Sequence, residues 1–261
     1  MIPKIIHQTW KTETIPERYK DAVDSCKTLH KGYRYILWTH QTMRKFVQKF
    51  YPDFYNIYRA YPHDIQRCDA FRYLVLYKYG GIYLDLDTVC KKKLNDLLQY
   101  DLVVAPSPVR KEDIRNGFYM VIPKHPFIQY CIEELPKHIH DYSYFGSALH
   151  VFYSTGPHFL RDRLKEYGSI SNLRILSNAQ FGGDCYLCTL AEGTQDLDNC
   201  KGGEYVKLTI GRSWFQWDYH LYKFGFCHST EILGTLLLAT LVGSEYYYWT
   251  SSSSHGRKDV F

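Results

Sequence analysis

An α/β fold with a mostly parallel central sheet flanked by helices is predicted by three features of the chain. Strand-like and helix-like segments alternate through its first third, and strand, helix, strand at these lengths argues a parallel pairing. An apolar run, "YGGIYLDLD" (79–87), then ends in two aspartates, and α/β sheets place ligands at such carboxyl-terminal edges. At 261 residues the chain is long enough for one large core. A single domain over residues 1–230 is expected, followed by an apolar helix and a mobile polar tail over 231–261.

The elements follow in order. "KIIHQTW" (4–10) reads as a strand, and residues 15–32 as a helix opened by Pro16 and closed by Gly32. "YRYILWT" (33–39) is a second strand, followed by a helix from about Gln41 to Phe50 and a loop around Pro52 and Pro62. In "HDIQRCDAFRYLVLYKYGG" Asp64 can cap a helix running from about Ile65 to Tyr79, and Gly80-Gly81 supply the positive φ that ends it. A strand starts at Ile82. "LVVAPSP" (102–108) and "GFYMVIP" (117–123) are further strands, and "HPFIQYCIEELPKHI" is a short helix broken near Pro136. A helix follows "STGP" (154–157), then a strand near "LRILS", an irregular segment over 180–203, and renewed alternation in "EYVKLTIGRSWFQW".

Composition narrows the function. The 32 basic residues against 27 acidic ones form no long basic run, which argues against nucleic-acid binding and suits an anionic small molecule or a lipid surface. The 25 tyrosines suit half-buried strands as well as sugar- or base-binding surfaces. The N-terminus has no apolar h-region, so the expectation is a cytoplasmic or peripherally membrane-associated chain whose eight cysteines are mostly reduced, buried thiols. Cys185 and Cys188, with Cys200 and Cys227, make an incomplete zinc pattern. The apolar run 232–243 is shorter than the roughly 20 residues of a membrane span, which leaves a buried helix or peripheral membrane contact.

A strand through Asp87 would turn Tyr83, Asp85 and Asp87 to one face and Ile82, Leu84 and Leu86 to the other. Two neighbouring carboxylates repel, a cost that a divalent cation or a basic partner relieves, and oxygen donors favour Mn2+ or Mg2+. The alternative is a strand running out into solvent with two surface aspartates. Asp69 and Arg72, three apart, share one helix face, and the glycine turn folds that face toward Asp85. Their plainer reading is a surface ion pair worth under ~1 kcal/mol. Likewise Trp10 reads as core or as base-stacking, Asn116-Gly117 as a hairpin turn, and His7 as a core imidazole.

"IPKIIHQTWK", "QRCDAFRYLVLYKYGGIYLDLD", "NGFYMVIPKHPF", "STGP" and "RSW", in that order, resemble glycosyltransferase family 32, which includes yeast-type α-mannosyltransferases and inositol phosphoceramide mannosyltransferases. The D-x-x-R helix followed by Y-x-D-x-D also resembles the glucosylating clostridial toxins. What the resemblance implies is a GT-A type, Rossmann-like fold, a nucleotide-sugar donor (GDP-mannose first, then UDP-hexoses), Mn2+ or Mg2+, retention of configuration, and a glycan, glycolipid or protein acceptor. Carried over by motif, Asp87 would bind the metal, Asp85 would contact the ribose and metal shell, and Asp69 and Arg72 would hydrogen-bond sugar hydroxyls. Tyr83 would lie by the nucleoside and Trp10 on the base, while Asn116, Gly117, Gly156 and Pro157 would line the donor sugar or acceptor. Ser213, as a metal-shell ligand, and Trp214 would come from a closing loop. The chain departs from the family at Phe215, where relatives often carry His, and shows no acidic residue shortly before Ser213. The rival reading is therefore a non-catalytic nucleotide-sugar or glycan binder on the same fold. A metal-dependent phosphodiesterase would need a denser Asp/Glu/His cluster.

Overall fold

The computed structural model describes residues 1–107, 114–182 and 201–209, together with positions 218, 224, 225 and 228. The chain divides into two units, Met1–Gln216 and Trp217–Phe261. In the second, His228 N–H donates to Phe224 O at 3.0 Å. The strands and the helices that flank them belong to the first.

Its elements are β1 (Ile5–Trp10), α1 (Glu17–Leu29), β2 (Arg34–Thr39), α2 (His40–Phe50), α3 (Pro52–Ala60), α4 (Asp64–Tyr79), β3 (Gly81–Leu84), β4 (Thr88–Cys90), β5 (Leu102–Pro106), β6 (Ile114–Val121), α5 (Pro126–Glu134), α6 (Ser147–Ser154), α7 (Pro157–Tyr167), β7 (Leu173–Ile175) and β8 (Val206–Leu208). Six strands form one sheet in the order β2-β1-β3-β6-β5-β7, and β4 pairs with β8 in a small second sheet. Pairings β1–β2, β1–β3 and β5–β7 are parallel, whereas β6 runs antiparallel to both neighbours. The predicted α/β class and mostly parallel sheet are present, with β6 inserted against the grain.

Alternation along the strands divides the core in two. Tyr83, Val104, Tyr119 and Val121 face a cluster built on α2, α3, α4, α5 and α7, while Ile82, Leu84, Phe118 and Met120 face a second cluster that includes Cys26 of α1. Helix α4 is buried almost all round through Phe71, Leu74, Val75 and Leu76, which explains an apolar content too high for a surface helix. Two local expectations change. Pro52 opens a helix where a loop was expected, because proline at the first helical position costs no hydrogen bond. Asp64 is the first residue of α4 rather than its cap: the N-cap is His63, whose N–H donates to Gln66 Oε1 at 3.2 Å.

One pair of cysteines departs from the expectation of mostly reduced thiols. Cys26 of α1 and Cys90 of β4, 64 residues apart, form a disulfide, whereas Cys68 and Cys131 are free and buried. Packing of α1 against β4 makes the bond, and sequence spacing could not show it. Closing a loop of this length stabilises by about 4 kcal/mol in the chain-entropy account. The Cys26→Ser/Cys90→Ser variant is expected to melt about 10 °C lower than the native protein in a thermal scan without reductant. An unchanged midpoint would count against the cross-link. No helix among the described residues is long and apolar enough to cross a membrane. Cys185, Cys188, Cys200, Cys227 and the apolar run 232–243 lie outside the described residues.

Candidate donor and metal site

Strands β1 and β3 are parallel, so Trp10 and the residues after Leu84 emerge at one edge of the sheet. Asp85 N–H donates to Gly117 O at 3.0 Å, extending the β3–β6 ladder one residue past the strand. The chain then turns: Thr88 N–H donates to Asp85 O at 3.2 Å, and Leu86 is buried against Tyr19 and Val23. Asp85 and Asp87 thus flank a turn anchored by Leu86, and the expectation that both sit inside a strand is corrected. Beyond the last ladder position, an aspartate no longer has to suit a pleated interior. Thr209 fixes the far side, its N–H and its hydroxyl donating to Asp87 O at 2.8 and 3.0 Å.

Helix α4 reaches this edge through Gly80 (φ 62°) and Gly81 (φ 103°). A Cβ at Gly81 would lie 2.7 Å from Ile5 O, so the helix can fold this closely on β1 only with glycine there. His7 pins the same turn. Trp38 Nε1–H donates to His7 Nδ1 at 3.1 Å, and His7 Nε2–H donates to Gly80 O at 3.0 Å. Burial lowers the imidazole to about 4 although the bond to Gly80 opposes the shift, so His7 is a neutral core residue.

Asp69 and Arg72 are buried, 1% and 4% exposed, which rules out the surface ion pair. Arg72 Nη2 lies 3.1 Å from Asp69 Oδ1 and 3.3 Å from Asp85 Oδ1, and Nη1 donates to Asn116 O at 2.6 Å. The guanidinium sits over the Tyr83 ring, 4.8 Å from its centroid. Tyr83 Oη in turn donates to Asp85 Oδ1 at 3.3 Å and lies 2.8 Å from Thr9 Oγ1. Burial pushes Asp69 up to about 7, with Arg72 pulling it down and Asp85 pushing it further up. Thr155 hydroxyl donates to Asp69 Oδ2 at 3.3 Å, so "STGP" reaches the site through Thr155, while Gly156 and Pro157 begin α7.

Asn116-Gly117 is no hairpin turn. Opposite β5 the register jumps from Val104↔Tyr119 to Ala105↔Arg115, leaving Asn116, Gly117 and Phe118 in a bulge. The bulge turns the Asn116 and Gly117 carbonyls onto Arg72 and Asp85. It also lets the Asp85 carboxylate lie over Gly117, where a Cβ would fall 2.2 Å from Oδ2.

One participant was not anticipated. Arg115 Nη2 lies 3.3 Å from Asp87 Oδ1 and 4.0 Å from Asp85 Oδ2. The available signal was a charged residue in the otherwise apolar strand "IRNGFYMV". Gln8 was also missed: its amide donates to Asp85 O at 3.3 Å and accepts from Tyr35 Oη at 2.7 Å. Burial pushes Asp87 up to about 6, Arg115 lowering it and Asp85 raising it.

Trp10 is half-buried, edge-on to Tyr19 with centroids 5.5 Å apart, and packs beside Leu86 at the turn. The fold therefore gathers Asp69, Arg72, Tyr83, Asp85, Asp87, Asn116 and Gly117, with Trp10 at the rim. Ser213 and Trp214 lie outside the described residues.

Arg72 Nε and the hydroxyl of Tyr61 are buried without hydrogen-bond partners among the described residues, and Asp69 Oδ1 faces Arg72 Nη2 as an ion pair, a set with donor and acceptor capacity left for a polyhydroxylated ligand. No group of three or more His, Cys, Asp or Glu is drawn together among the described residues, so the candidate metal donors are the two carboxylates of Asp85 and Asp87. Such a pair fits a hard cation that takes its remaining ligands from water and phosphate oxygens.

Residues 16–104 match the family described as a glycosyltransferase sugar-binding region containing a DXD motif. Inositol phosphoceramide mannosyltransferase 3 of Schizosaccharomyces pombe is 46% identical over 162 residues, covering 61% of this chain and 44% of that protein. Inositol phosphoceramide mannosyltransferase 2 of the same yeast is 39% identical over 215 residues, covering 77% and 60%. The chain spans about half the length of these relatives. Among solved structures, the PaToxG glycosyltransferase aligns with a TM-score of 0.45 at 20% identity, covering 64% of this chain and 69% of that one. The span from Pro16 to Val104, which holds Asp69, Arg72, Tyr83, Asp85 and Asp87, thus matches the DXD-containing glycosyltransferase sugar-binding region, and the chain is similar in sequence to fungal inositol phosphoceramide mannosyltransferases.

Proposed function

We propose that this chain transfers a hexose from a nucleotide sugar, mannose from GDP-mannose first, to a glycan or glycolipid acceptor with retention of configuration. The observation that carries this reading is the Asp69–Arg72–Asp85 ion-pair chain, buried at Asp69 and Arg72 and part-exposed at Asp85, with Arg72 Nε left without a hydrogen-bond partner among the described residues. Sugar hydroxyls can satisfy that atom, and mutual pairing fixes the side chains before the donor arrives. Tyr83 is held by Thr9 and Asp85 where a ribose would lie, and Trp10 offers a ring at the rim for the base. Asp85 and Asp87, with Ser213, would hold Mn2+ or Mg2+. When bound, that cation supplies charge stabilisation for the departing diphosphate.

Retention follows from a front-face exchange. The bond from the anomeric carbon to the leaving phosphate oxygen breaks, the acceptor oxygen bonds on the same face, and its proton passes to the departing phosphate. No enzyme nucleophile takes part, so a glycosyl group trapped on an Asp or Glu would refute it. We assign catalysis to residues 1–230.

Thermal-shift screening of GDP-mannose and UDP-hexoses with and without Mn2+, followed by assay of released nucleoside diphosphate, tests the whole reading. Protection and release are expected together. Protection without release would instead mark a binder, and neither would exclude both. Gly117→Ala is expected to cut turnover about 100-fold, because a shift near 1 Å in Asp85 is enough to do so. Turnover of that variant within twofold of native would show that Asp85 does not need its present seat.

A further inference from the structure

Arg115 is the group that the proposed donor chemistry leaves unused. It stands in β6 immediately before the bulge, its side chain 15% exposed, and Nη2 faces Asp87 Oδ1 at 3.3 Å and Asp85 Oδ2 at 4.0 Å. Its Nε is buried without a hydrogen-bond partner among the described residues. The glycine that seats Asp85 also seats Arg115, since a Cβ on Gly117 would fall 3.0 Å from Nε. The bulge thus brings one cation onto both carboxylates, whereas Arg72 meets Asp85 at its other oxygen, Oδ1, and pairs with Asp69.

We infer that Arg115 is the resident counter-ion of the Asp85/Asp87 pair, that a divalent cation must displace its guanidinium, and that the guanidinium then turns to the donor diphosphate. The inference rests on the metal-site reading above. Its physical basis is competition: one carboxylate pair cannot fully satisfy a guanidinium and a dication at 3 to 4 Å, because the two cations repel. A planar guanidinium freed from Asp87 suits phosphate oxygens in bidentate contact. Without a nucleoside diphosphate, Mn2+ therefore binds weakly. With one, each ligand helps the other, and the coupling is reciprocal.

The test is Mn2+ titration followed by electron paramagnetic resonance, on the full chain, with and without GDP or UDP. Arg115→Met is expected to bind Mn2+ alone about fivefold more tightly than the native protein, the size of one partly exposed ion pair. Its enhancement by diphosphate should fall by a similar factor. Arg115→Lys, which keeps the charge, should stay within twofold of native for Mn2+ alone. A gain in affinity is not what structural damage produces, which separates competition from a packing role. Unchanged or weaker Mn2+ binding by Arg115→Met, with Arg115→Lys still folded and binding as native, overturns the inference and leaves the metal reading standing. Absence of Mn2+ binding in all three proteins, with and without diphosphate, overturns both.

Discussion

Asp87→Asn is expected to lower metal-dependent release of nucleoside diphosphate by about 1,000-fold or more, since a dication at a developing diphosphate charge is worth several kcal/mol. The fold should survive the change. Asp87 sits half-buried in the turn beside Asp85, and burial has pushed it up to about 6, Arg115 only partly opposing. A carboxyl whose folded value lies above its unfolded one is stabilising while protonated. Its contribution is fully present below about pH 4 and is lost as pH rises through about 6. Replacing it with a neutral amide removes that loss. In metal-free buffer at pH 7.5 the variant should therefore melt at or above the native midpoint, and the difference should shrink toward pH 4. Near-native turnover would refute Asp87 as a metal ligand. A sharply lowered midpoint at pH 7.5 would instead show that the Arg115–Asp87 pair outweighs the cost of burying the carboxylate.

The second large effect is on stability. Arg72→Met should cost about 3–5 kcal/mol, because it leaves Asp69 and Asp85 facing each other without their shared cation. It also removes the donor to Asn116 O that holds the bulge. For a domain of this size that corresponds to a fall of about 10 °C in midpoint. Asp69→Asn in the same chain should restore part of the loss, since the buried charge is then gone. Asp69, pushed up to about 7 by burial, has the same sign as Asp87. Its stabilising contribution is present below about pH 4 and disappears as pH rises through about 7. The native metal-free protein should melt lower at pH 8 than at pH 6, and Asp69→Asn should flatten that slope. If Arg72→Met melts like native at pH 8, the pair is not the buried one described.

Much of this site was legible in the sequence because its signals are local. A spacing of three puts Asp69 and Arg72 on one turn of α4, and paired glycines end a helix whatever lies beyond. Alternation correctly divided Tyr83 from Ile82 and Leu84 between two cores. It failed one residue later. Periodicity cannot report where a strand's partner stops, and β3 ends at Leu84 once its β1 and β6 pairings run out. Arg115 was missed for a related reason: only the jump in register against β5 brings it to the aspartates, and a register is a property of two strands.

The sequence by itself determined the alternation of strands and helices, the acidic turn and its helix partner, and the relationship to DXD glycosyltransferases. These rest on helical spacing, on the backbone freedom of glycine, and on motif order, all of which are carried along the chain. Only the tertiary structure decided that β6 runs antiparallel, that Cys26 meets Cys90, and that Asp85 and Asp87 occupy a turn. Only it decided that an arginine sits on the two aspartates. Each of these depends on residues far apart in sequence meeting across a packed interface, where burial and charge act on distances that no spacing along the chain encodes.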